Sequence, residues 1–168
     1  MQATAQSNAE RAEQIINEAR SRQLTIATAE SCTAGSFAHL LAGAPGASEV
    51  FHGGFIVYTK EQKTIGLGVP ASVIAENTAV SVEVAQAMAA GAMERSSADV
   101  TVSITGVLGP EPDEDGNPVG LVYFGLAKRN GYTQFHEHRF ASETQDDIYA
   151  AVLERTLILL AEGIVTPN

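Results

Sequence analysis

The fold is decided by the stretch LTIATAESCTAGSFAHLL, residues 24–41. Residues 24–27 are apolar and predict a strand, and residues 36–41 predict a helix, so residues 28–35 read as a strand-to-helix turn crowded with hydroxyl groups. Such a turn aims backbone N–H groups and the positive end of the helix dipole at one point, where they can hold a phosphate or stabilise an oxyanion. Ser31 is therefore a candidate nucleophile. The alternative is that Ser31 and Thr33 only cap the helix.

A tyrosine and a lysine follow the next predicted strand. Residues 53–58 predict a strand that ends at Tyr58, residues 59–62 form a polar turn, and Lys63 opens another helix-like run. A serine needs a base to become nucleophilic, and a lysine whose pKa is lowered by burial can serve, with a tyrosine relaying or positioning the proton. The alternative is that Tyr58 packs half-buried on the strand and Lys63 is a solvated helix residue.

A third cluster lies where the alternating segment 98–105 breaks at Gly106 and enters a long polar loop. Open α/β sheets bind their ligands at the carboxyl ends of strands, which makes Thr105 and Gly106 candidate site residues. The alternative is that Thr105 faces solvent and Gly106 only permits the turn.

These three clusters carry a resemblance to one family. The segments are TAESCTAG (28–35), GGFIVYTKEQK (53–63), and the run 79–110 followed by NPVGLVYFGLA (117–127). They are similar to the C-terminal domain of the competence/damage-inducible CinA proteins, which is also found as the stand-alone nicotinamide-nucleotide amidase. The similarity covers roughly residues 9–160.

The resemblance implies a metal-independent amidohydrolase that needs no cofactor. Its members convert nicotinamide mononucleotide to nicotinic acid mononucleotide and ammonia, with a serine nucleophile helped by a tyrosine and a lysine. Ser31, Tyr58 and Lys63 occupy those three places. The resemblance also implies substrate contacts at the hydroxyl positions Thr33 and Thr105. The full predicted substrate-binding set is Glu30, Cys32, Thr33, Gly35, Thr105 and Gly106.

The chain departs from the family pattern in two places. Ala34 replaces a glycine in the turn, which should leave a helix start intact. Relatives commonly carry Phe-x-Gly-x-Arg with a second arginine five residues later, whereas this chain has Thr144 and Tyr149 at the two arginine positions. An arginine fork is the usual partner of a nucleotide phosphate, and the acidic residues 146–147 would repel one. We therefore expect the nucleotide to bind less tightly here than in arginine-bearing relatives.

The amino-acid composition limits which molecules the chain can bind. The chain has 168 residues, which fits one domain over residues 1–168, and its formal net charge of −10 argues against binding nucleic acid or an anionic membrane. Its single cysteine, Cys32, excludes an intramolecular disulfide. With neither a secretory leader nor an apolar run long enough to span a bilayer, we expect a cytoplasmic protein. The sequence leaves the oligomeric state open and is compatible with a homo-oligomer.

Cys32 is a second nucleophile candidate, because a helix N-terminus lowers a thiol pKa. No partner histidine is evident, however, so we expect Cys32 to be a packed small residue.

The positions of the four histidines give no indication of a metal site. His39 and His52 are isolated in the sequence, and His136 and His138 alternate along one strand as surface residues do. The acidic segment 111–117 lacks the spacing of a calcium loop and reads as a solvated loop or lid.

The order of elements predicts an α/β protein. Predicted helices cover 7–22, 70–76, 81–96 and 142–163, and predicted strands cover 98–105, 119–127 and 132–140. Capping boxes open the helices at Ser7 and Ser142. The result is a three-layer α/β/α sandwich with a mixed, mostly parallel sheet, antiparallel where the turn 129–131 joins the last two strands.

Two classes of function fit these observations. The first is the amidohydrolase just described, with Ser31 as nucleophile and Lys63 as base. The second is a non-catalytic nucleotide-binding or partner domain, in which the same turn holds a nucleotide without hydrolysing it. Release of ammonia from nicotinamide mononucleotide separates the two.

Overall fold

The structure is a computed structural model that describes residues 6–141 and 144–167. Its strands are β1 (Ile26–Glu30), β2 (Phe51–Ile56), β3 (Val100–Gly106), β4 (Leu121–Lys128) and β5 (Thr133–Arg139). Its helices are α1 (Asn8–Ser21), α2 (Ser36–Ala42), α3 (Ala47–Val50), α4 (Lys60–Leu67), α5 (Ala71–Asn77), α6 (Val82–Arg95) and α7 (Gln145–Val165). The predicted first strand therefore lies two residues further along the chain than the apolar run 24–27 indicated.

The strands form one sheet in the order β2-β1-β3-β4-β5. β1 pairs in parallel with β2 and β3, whereas β4 pairs antiparallel with β3 and β5. The predicted mixed sheet flanked by helices is confirmed, although its parallel and antiparallel pairings are two of each rather than mostly parallel. The cause is that no helix intervenes between β3 and β5, so the chain returns by a loop and a tight turn.

Helices cover both faces of the sheet. On one face α1, α2, α3 and α7 enclose the larger core, which includes Ile16, Phe37, Phe124 and Leu157. On the other face α4, α5 and α6 enclose a smaller core around Leu67 and Met88. Open sheets of this kind, covered by helices on both faces, bind ligands at the carboxyl ends of their parallel strands, which here are β1, β2 and β3.

Several helices begin at a residue whose side chain caps the helix, and two of these caps are the ones that the sequence predicts. Ser7 forms a capping box with Glu10, and the Ser81 hydroxyl accepts a hydrogen bond from the N–H of Val84, as predicted. At α7 the Thr144 hydroxyl accepts from the N–H of Asp147. The predicted cap at Ser142 and Glu143 lies outside the described residues. Within those residues, no helix combines the length and apolar character needed to cross a membrane.

Gly91 tests how closely α4 and α6 pack. A Cβ atom at Gly91 would lie 2.0 Å from the carbonyl oxygen of Leu67, a backbone atom that cannot rotate away. We expect Gly91→Ala to lower the free energy of unfolding by about 1–3 kcal/mol, because one helix must shift to remove the clash. Urea denaturation measures the change.

Gly43→Ala is the matched control. Gly43 has φ −74°, which alanine adopts without strain, and its added Cβ would lie 3.5 Å from the His39 carbonyl oxygen, an ordinary contact. This variant should be as stable as the parent, or more stable by up to about 1 kcal/mol. Equal stability of the two alanine variants would contradict the close approach at Gly91.

Candidate active site

Ser31 lies immediately after β1, the middle one of the three parallel strands. Parallel pairing of β1 with both neighbours continues through Glu30, and the N–H of Ser31 then donates to the Ile104 carbonyl at 2.9 Å. The strand is thus longer than the sequence indicated, and the turn begins at Ser31 rather than at Thr28. Ser31 therefore stands at the carboxyl end of β1, between the ends of β2 and β3.

The carboxylate of Glu30 caps the helix that follows. It is fully buried and accepts hydrogen bonds from the N–H groups of Gly35 (3.0 Å), Phe37 (3.1 Å) and Ala38 (2.8 Å), and from the Thr33 hydroxyl (2.7 Å). The N-cap residue itself, Gly35, has φ 96° and no side chain that could cap. The alternative that serine and threonine cap α2 is therefore wrong, because Glu30 satisfies these donors.

Three residues of the predicted substrate-binding set are thus placed inside the turn. Glu30 and Thr33 are fully buried, bonded to each other, and do not line the cleft described below. Gly35 supplies the left-handed backbone that the helix start requires. These residues hold the turn in position. The sequence signal was a glutamate at the end of an apolar strand with a glycine five residues later.

Ser31 and Lys63 form the central contact of the site. The Nζ atom of Lys63 lies 2.8 Å from Ser31 Oγ, and it donates to the carbonyl oxygens of Val57 at 3.1 Å and Tyr58 at 3.2 Å. A neutral amine has two N–H donors and one lone pair. In the structure Nζ donates to Ser31 Oγ as well, and the Ser31 hydroxyl donates to the Tyr58 carbonyl at 3.4 Å. Once Lys63 is neutral, its two N–H donors can stay on the carbonyls while the lone pair accepts from the Ser31 hydroxyl, which is the arrangement that proton abstraction requires.

Lys63 is buried rather than solvated, which reverses the alternative considered from the sequence. Only 1% of its surface is exposed. Burial lowers the pKa of Lys63 to about 8; the nearby Lys60 ammonium adds to this effect, and Cys32 opposes it. Near pH 8 a large fraction of Lys63 is therefore the neutral base.

Tyr58 contributes its backbone to the contact rather than its phenol. Its carbonyl accepts from Lys63, and the side chain is 67% exposed on the cleft wall. Among the described residues the phenol makes no hydrogen bond with Ser31 or Lys63. The structure thus does not bring the predicted proton-handling group to the serine, although it places the residue beside it.

An open cleft of about 850 Å³ lies over this pair, at the carboxyl ends of β1 and β3. The predicted site residues that line it are Ser31, Cys32, Tyr58, Lys63, Thr105 and Gly106. Thr105 is nearly fully buried and its hydroxyl donates to the Ala79 carbonyl at 2.9 Å, so it is not the solvent-facing strand end of the alternative. Loop residues 107–115 and the start of α7 complete the wall.

Backbone N–H groups of the turn cluster next to Ser31. The N–H groups of Ser31, Ala34, Gly35 and Ser36 all have acceptors. The N–H groups of Cys32 and Thr33 act on the Cys32 thiol. Adjacent backbone N–H groups beside a nucleophile are the elements of an oxyanion hole.

The Cys32 thiol is a poor competitor for the nucleophile role. Burial raises the pKa of Cys32 to about 12, although its own N–H and that of Thr33 act in the opposite direction. The thiolate, which is the reactive form, is therefore scarce at neutral pH. Ser31, with its neighbouring base, is the better candidate.

Histidines lie away from the cleft. His136 and His138 are on the edge strand β5, where the His138 ring contacts Phe140 with centroids 4.2 Å apart. In the part of the chain that the structure describes, no three or more His, Cys, Asp or Glu side chains are grouped to hold a metal ion.

Comparisons with known proteins agree on one family. The family profile described as CinA C-terminal domain matches residues 8–164. A competence/damage inducible protein, CihA, from Agrobacterium tumefaciens has a crystal structure with TM-score 0.90 and 34% identity, covering 99% of this chain and 100% of that one. A CinA superfamily protein from Escherichia coli gives TM-score 0.89 and 32% identity, covering 96% of this chain and 94% of that one.

A curated relative differs in length. The CinA-like protein of Leptospira borgpetersenii (strain L550) is 44% identical over 119 residues, which are 71% of this chain and 28% of that protein. The chain thus spans about a third or less of the length of the curated relatives it matches. The family profile and the solved structures both match this chain over nearly its whole length.

The buried lysine predicts how stability depends on pH. The pKa of Lys63 is about 8 in the folded protein against an ordinary 10.5, so between these values the unfolded chain binds more protons. The contribution of Lys63 to stability must therefore rise with pH across this window. We expect the free energy of unfolding of the parent to gain about 3 kcal/mol relative to Lys63→Met between pH 8 and 10.5.

Urea titrations of both proteins at several pH values measure this difference. Other titrating groups cancel because they are common to the two chains. A difference that stays constant with pH would mean that the Lys63 pKa is not lowered by burial.

Proposed function

The chain belongs to the CinA C-terminal domain family, and on that premise we propose that it is a metal-independent amidohydrolase. The proposed reaction converts nicotinamide mononucleotide to nicotinic acid mononucleotide and ammonia, with Ser31 as the nucleophile. The observation that carries the proposal is the 2.8 Å contact between Ser31 Oγ and the buried amine of Lys63. A lysine with a pKa near 8 is a suitable base for a serine.

The geometry supports a two-stage mechanism. In the first stage neutral Lys63 accepts the Ser31 proton while Oγ attacks the amide carbon, and backbone N–H groups of the turn after β1 stabilise the developing oxyanion. The Lys63 ammonium then gives its proton to the departing amide nitrogen, which leaves as ammonia. An ester between Ser31 and the acyl group remains.

Water completes the reaction in the second stage. Lys63, neutral again after losing its proton, accepts a proton from a water molecule that attacks the ester carbonyl. The tetrahedral intermediate uses the same backbone N–H groups of the turn. Its collapse returns the proton from Lys63 to Ser31 Oγ and releases the carboxylic acid, which restores the enzyme.

The non-catalytic alternative retains one supporting observation. No arginine lines the described part of the cleft, so a nucleotide phosphate would lack its usual charged clamp. If the domain only bound a nucleotide, the contact between Ser31 and Lys63 would have no chemical role. A coupled assay for ammonia with nicotinamide mononucleotide distinguishes the two functions.

Removing the nucleophile is the first test. We expect Ser31→Ala to abolish ammonia release while leaving the unfolding transition close to that of the parent, because Glu30 still holds the turn. Cys32→Ala is the neighbouring control and should keep most of the activity. Near-normal turnover by Ser31→Ala would remove this serine from the mechanism.

The role of Lys63 as the base predicts how the rate of ammonia release depends on pH. Because Lys63 must be neutral to accept a proton, the rate should rise about tenfold per pH unit below pH 8 and level off above it. Lys63→Ala should lower turnover by about 10²–10⁴-fold. Tyr58→Phe should have a much smaller effect, because the phenol makes no hydrogen bond with Ser31 or Lys63 in the described part of the chain.

Lys60→Ala is the control for the profile. Its ammonium lies in the same cleft but bonds acidic loop residues rather than Ser31, so the rise with pH should persist. Its inflection should move slightly upward, because the Lys60 charge helps lower the Lys63 pKa. An unchanged rate and profile in Lys63→Ala would show that another group is the base.

A further inference from the structure

The turn that carries Ser31 has unusual backbone angles just before α2. Ala34 has φ 48° and Gly35 has φ 96°, so both lie in the left-handed region. Glycine adopts this region freely, whereas a residue with a Cβ atom does so at a cost in free energy. Ala34 is exposed, so packing of its methyl group does not hold this conformation. Other contacts of the turn must therefore hold it.

A tyrosine from the last helix bonds to this turn. Tyr149 lies near the start of α7 and lines the cleft. Its phenol donates to the Thr33 carbonyl at 2.7 Å, and the phenol oxygen also lies within hydrogen-bond distance of Ser36 Oγ. A phenol has one proton, so when the carbonyl accepts that proton the Ser36 hydroxyl donates to the phenol oxygen. Tyr149 thus contacts the turn on both sides of Ala34.

The Thr33 carbonyl belongs to the peptide group whose orientation sets φ of Ala34. This carbonyl also accepts from the N–H of Ser36 at 3.0 Å, and the N–H of the same peptide group donates to the Ser31 carbonyl at 3.1 Å. The bond from Tyr149 is the long-range one, because it joins the turn to a helix that packs in the larger core. The peptide group is thus held both from within the turn and from α7.

Glu30 cannot replace this bond. Its ionised carboxylate only accepts hydrogen bonds, so it holds N–H groups of the turn and of α2 but cannot hold a carbonyl. The phenol of Tyr149 supplies the missing donor. Nucleophilic attack needs Ser31 Oγ and the backbone N–H groups of the turn in a fixed relative position, and a misplacement of about 1 Å can cost about 10²-fold in rate.

We infer that Tyr149 is a positioning residue of this active site. Its phenol holds the Thr33 carbonyl and thereby keeps Ala34 in the left-handed conformation on which the position of Ser31 depends. The inference rests on the proposed amidohydrolase function and adds a residue to its machinery. Within the described residues, Tyr149 makes no hydrogen bond with Ser31 or Lys63, so it acts through the turn.

Tyr149→Phe keeps the ring and removes only the hydroxyl group. We expect kcat for ammonia release from nicotinamide mononucleotide to fall about tenfold, with KM within about twofold of the parent value. The inflection near pH 8 should stay in place, because the carbonyls that hold Lys63 lie outside α7. A raised KM with unchanged kcat would mean that the phenol binds substrate, and a shifted inflection would mean that it acts on the base. Either result overturns the inference.

Tyr123→Phe is the matched control. It also removes one phenolic hydrogen bond, which Tyr123 donates to the Glu137 carboxylate at 2.9 Å, and Tyr123 does not line the cleft. This variant should keep the parent kcat and KM. An equal loss of kcat in the two phenylalanine variants would mean that any lost phenolic bond has this effect, which overturns a specific role for Tyr149.

Ala34→Gly tests whether Tyr149 acts through the turn. Combined with Tyr149→Phe, it should restore kcat to within about threefold of the parent, because glycine occupies the left-handed region without the cost of a Cβ atom. Ala34→Gly alone should leave kcat close to the parent value, because the phenol already holds the turn. The same tenfold loss from Tyr149→Phe with alanine or glycine at this position overturns the inference.

Amide hydrogen exchange followed by NMR observes the turn without relying on catalysis. The N–H groups of Ala34 and Ser36 should exchange about tenfold faster in Tyr149→Phe than in the parent or in Tyr123→Phe. Faster exchange, with no ammonia released by the parent, supports the hold on the turn and overturns the amidase. Unchanged exchange and kcat in Tyr149→Phe, with ammonia released by the parent, support the amidase and overturn the inference. Unchanged exchange with no ammonia released overturns both.

Discussion

The site depends on the buried carboxylate of Glu30. It ends β1, the middle one of the three parallel strands, and accepts hydrogen bonds from three N–H groups at the start of α2 and from the Thr33 hydroxyl. A negative charge at a helix N-terminus is favoured by the helix dipole as well as by the hydrogen bonds. Because Glu30 satisfies these donors, the Ser31 hydroxyl is not needed to cap the helix. The turn can therefore present this hydroxyl to a substrate.

The second requirement is that a lysine be buried without an acidic partner. A carboxylate beside Lys63 would stabilise its ammonium form and raise its pKa, which would remove the base at neutral pH. The protein instead surrounds Nζ with two backbone carbonyls and the serine hydroxyl. Carbonyl groups orient the amine but carry no full charge. The resulting low pKa costs folding stability below pH 8, so the same burial that makes the base also makes the domain less stable there.

The sequence predicts the positions that the parallel strands bring together. Ser31 follows β1, Lys63 follows β2 and Thr105 ends β3, and the carboxyl ends of parallel neighbours meet at one edge of the sheet. Motif order is therefore enough to assemble this part of the site. The orientation of Tyr58 is different, because a residue just after an edge strand can face either the lysine or solvent, and only packing of the whole chain decides. The sequence does not predict the capping role of Glu30, because the donors to its carboxylate lie across a turn with unusual backbone angles at Ala34 and Gly35.

The serine–lysine pair and the carboxylates that line the cleft are held by different parts of the fold. Ser31 and Lys63 are held by the sheet and by helices that pack in its two cores, so their geometry is tied to global stability. Most of the lining carboxylates come from the loop between β3 and β4, which is held by polar contacts such as that of Asn117 with Thr78. Exposed loops tolerate substitution better than buried elements do. Substitutions in this loop should therefore change the charge of the cleft while Ser31 and Lys63 stay in place.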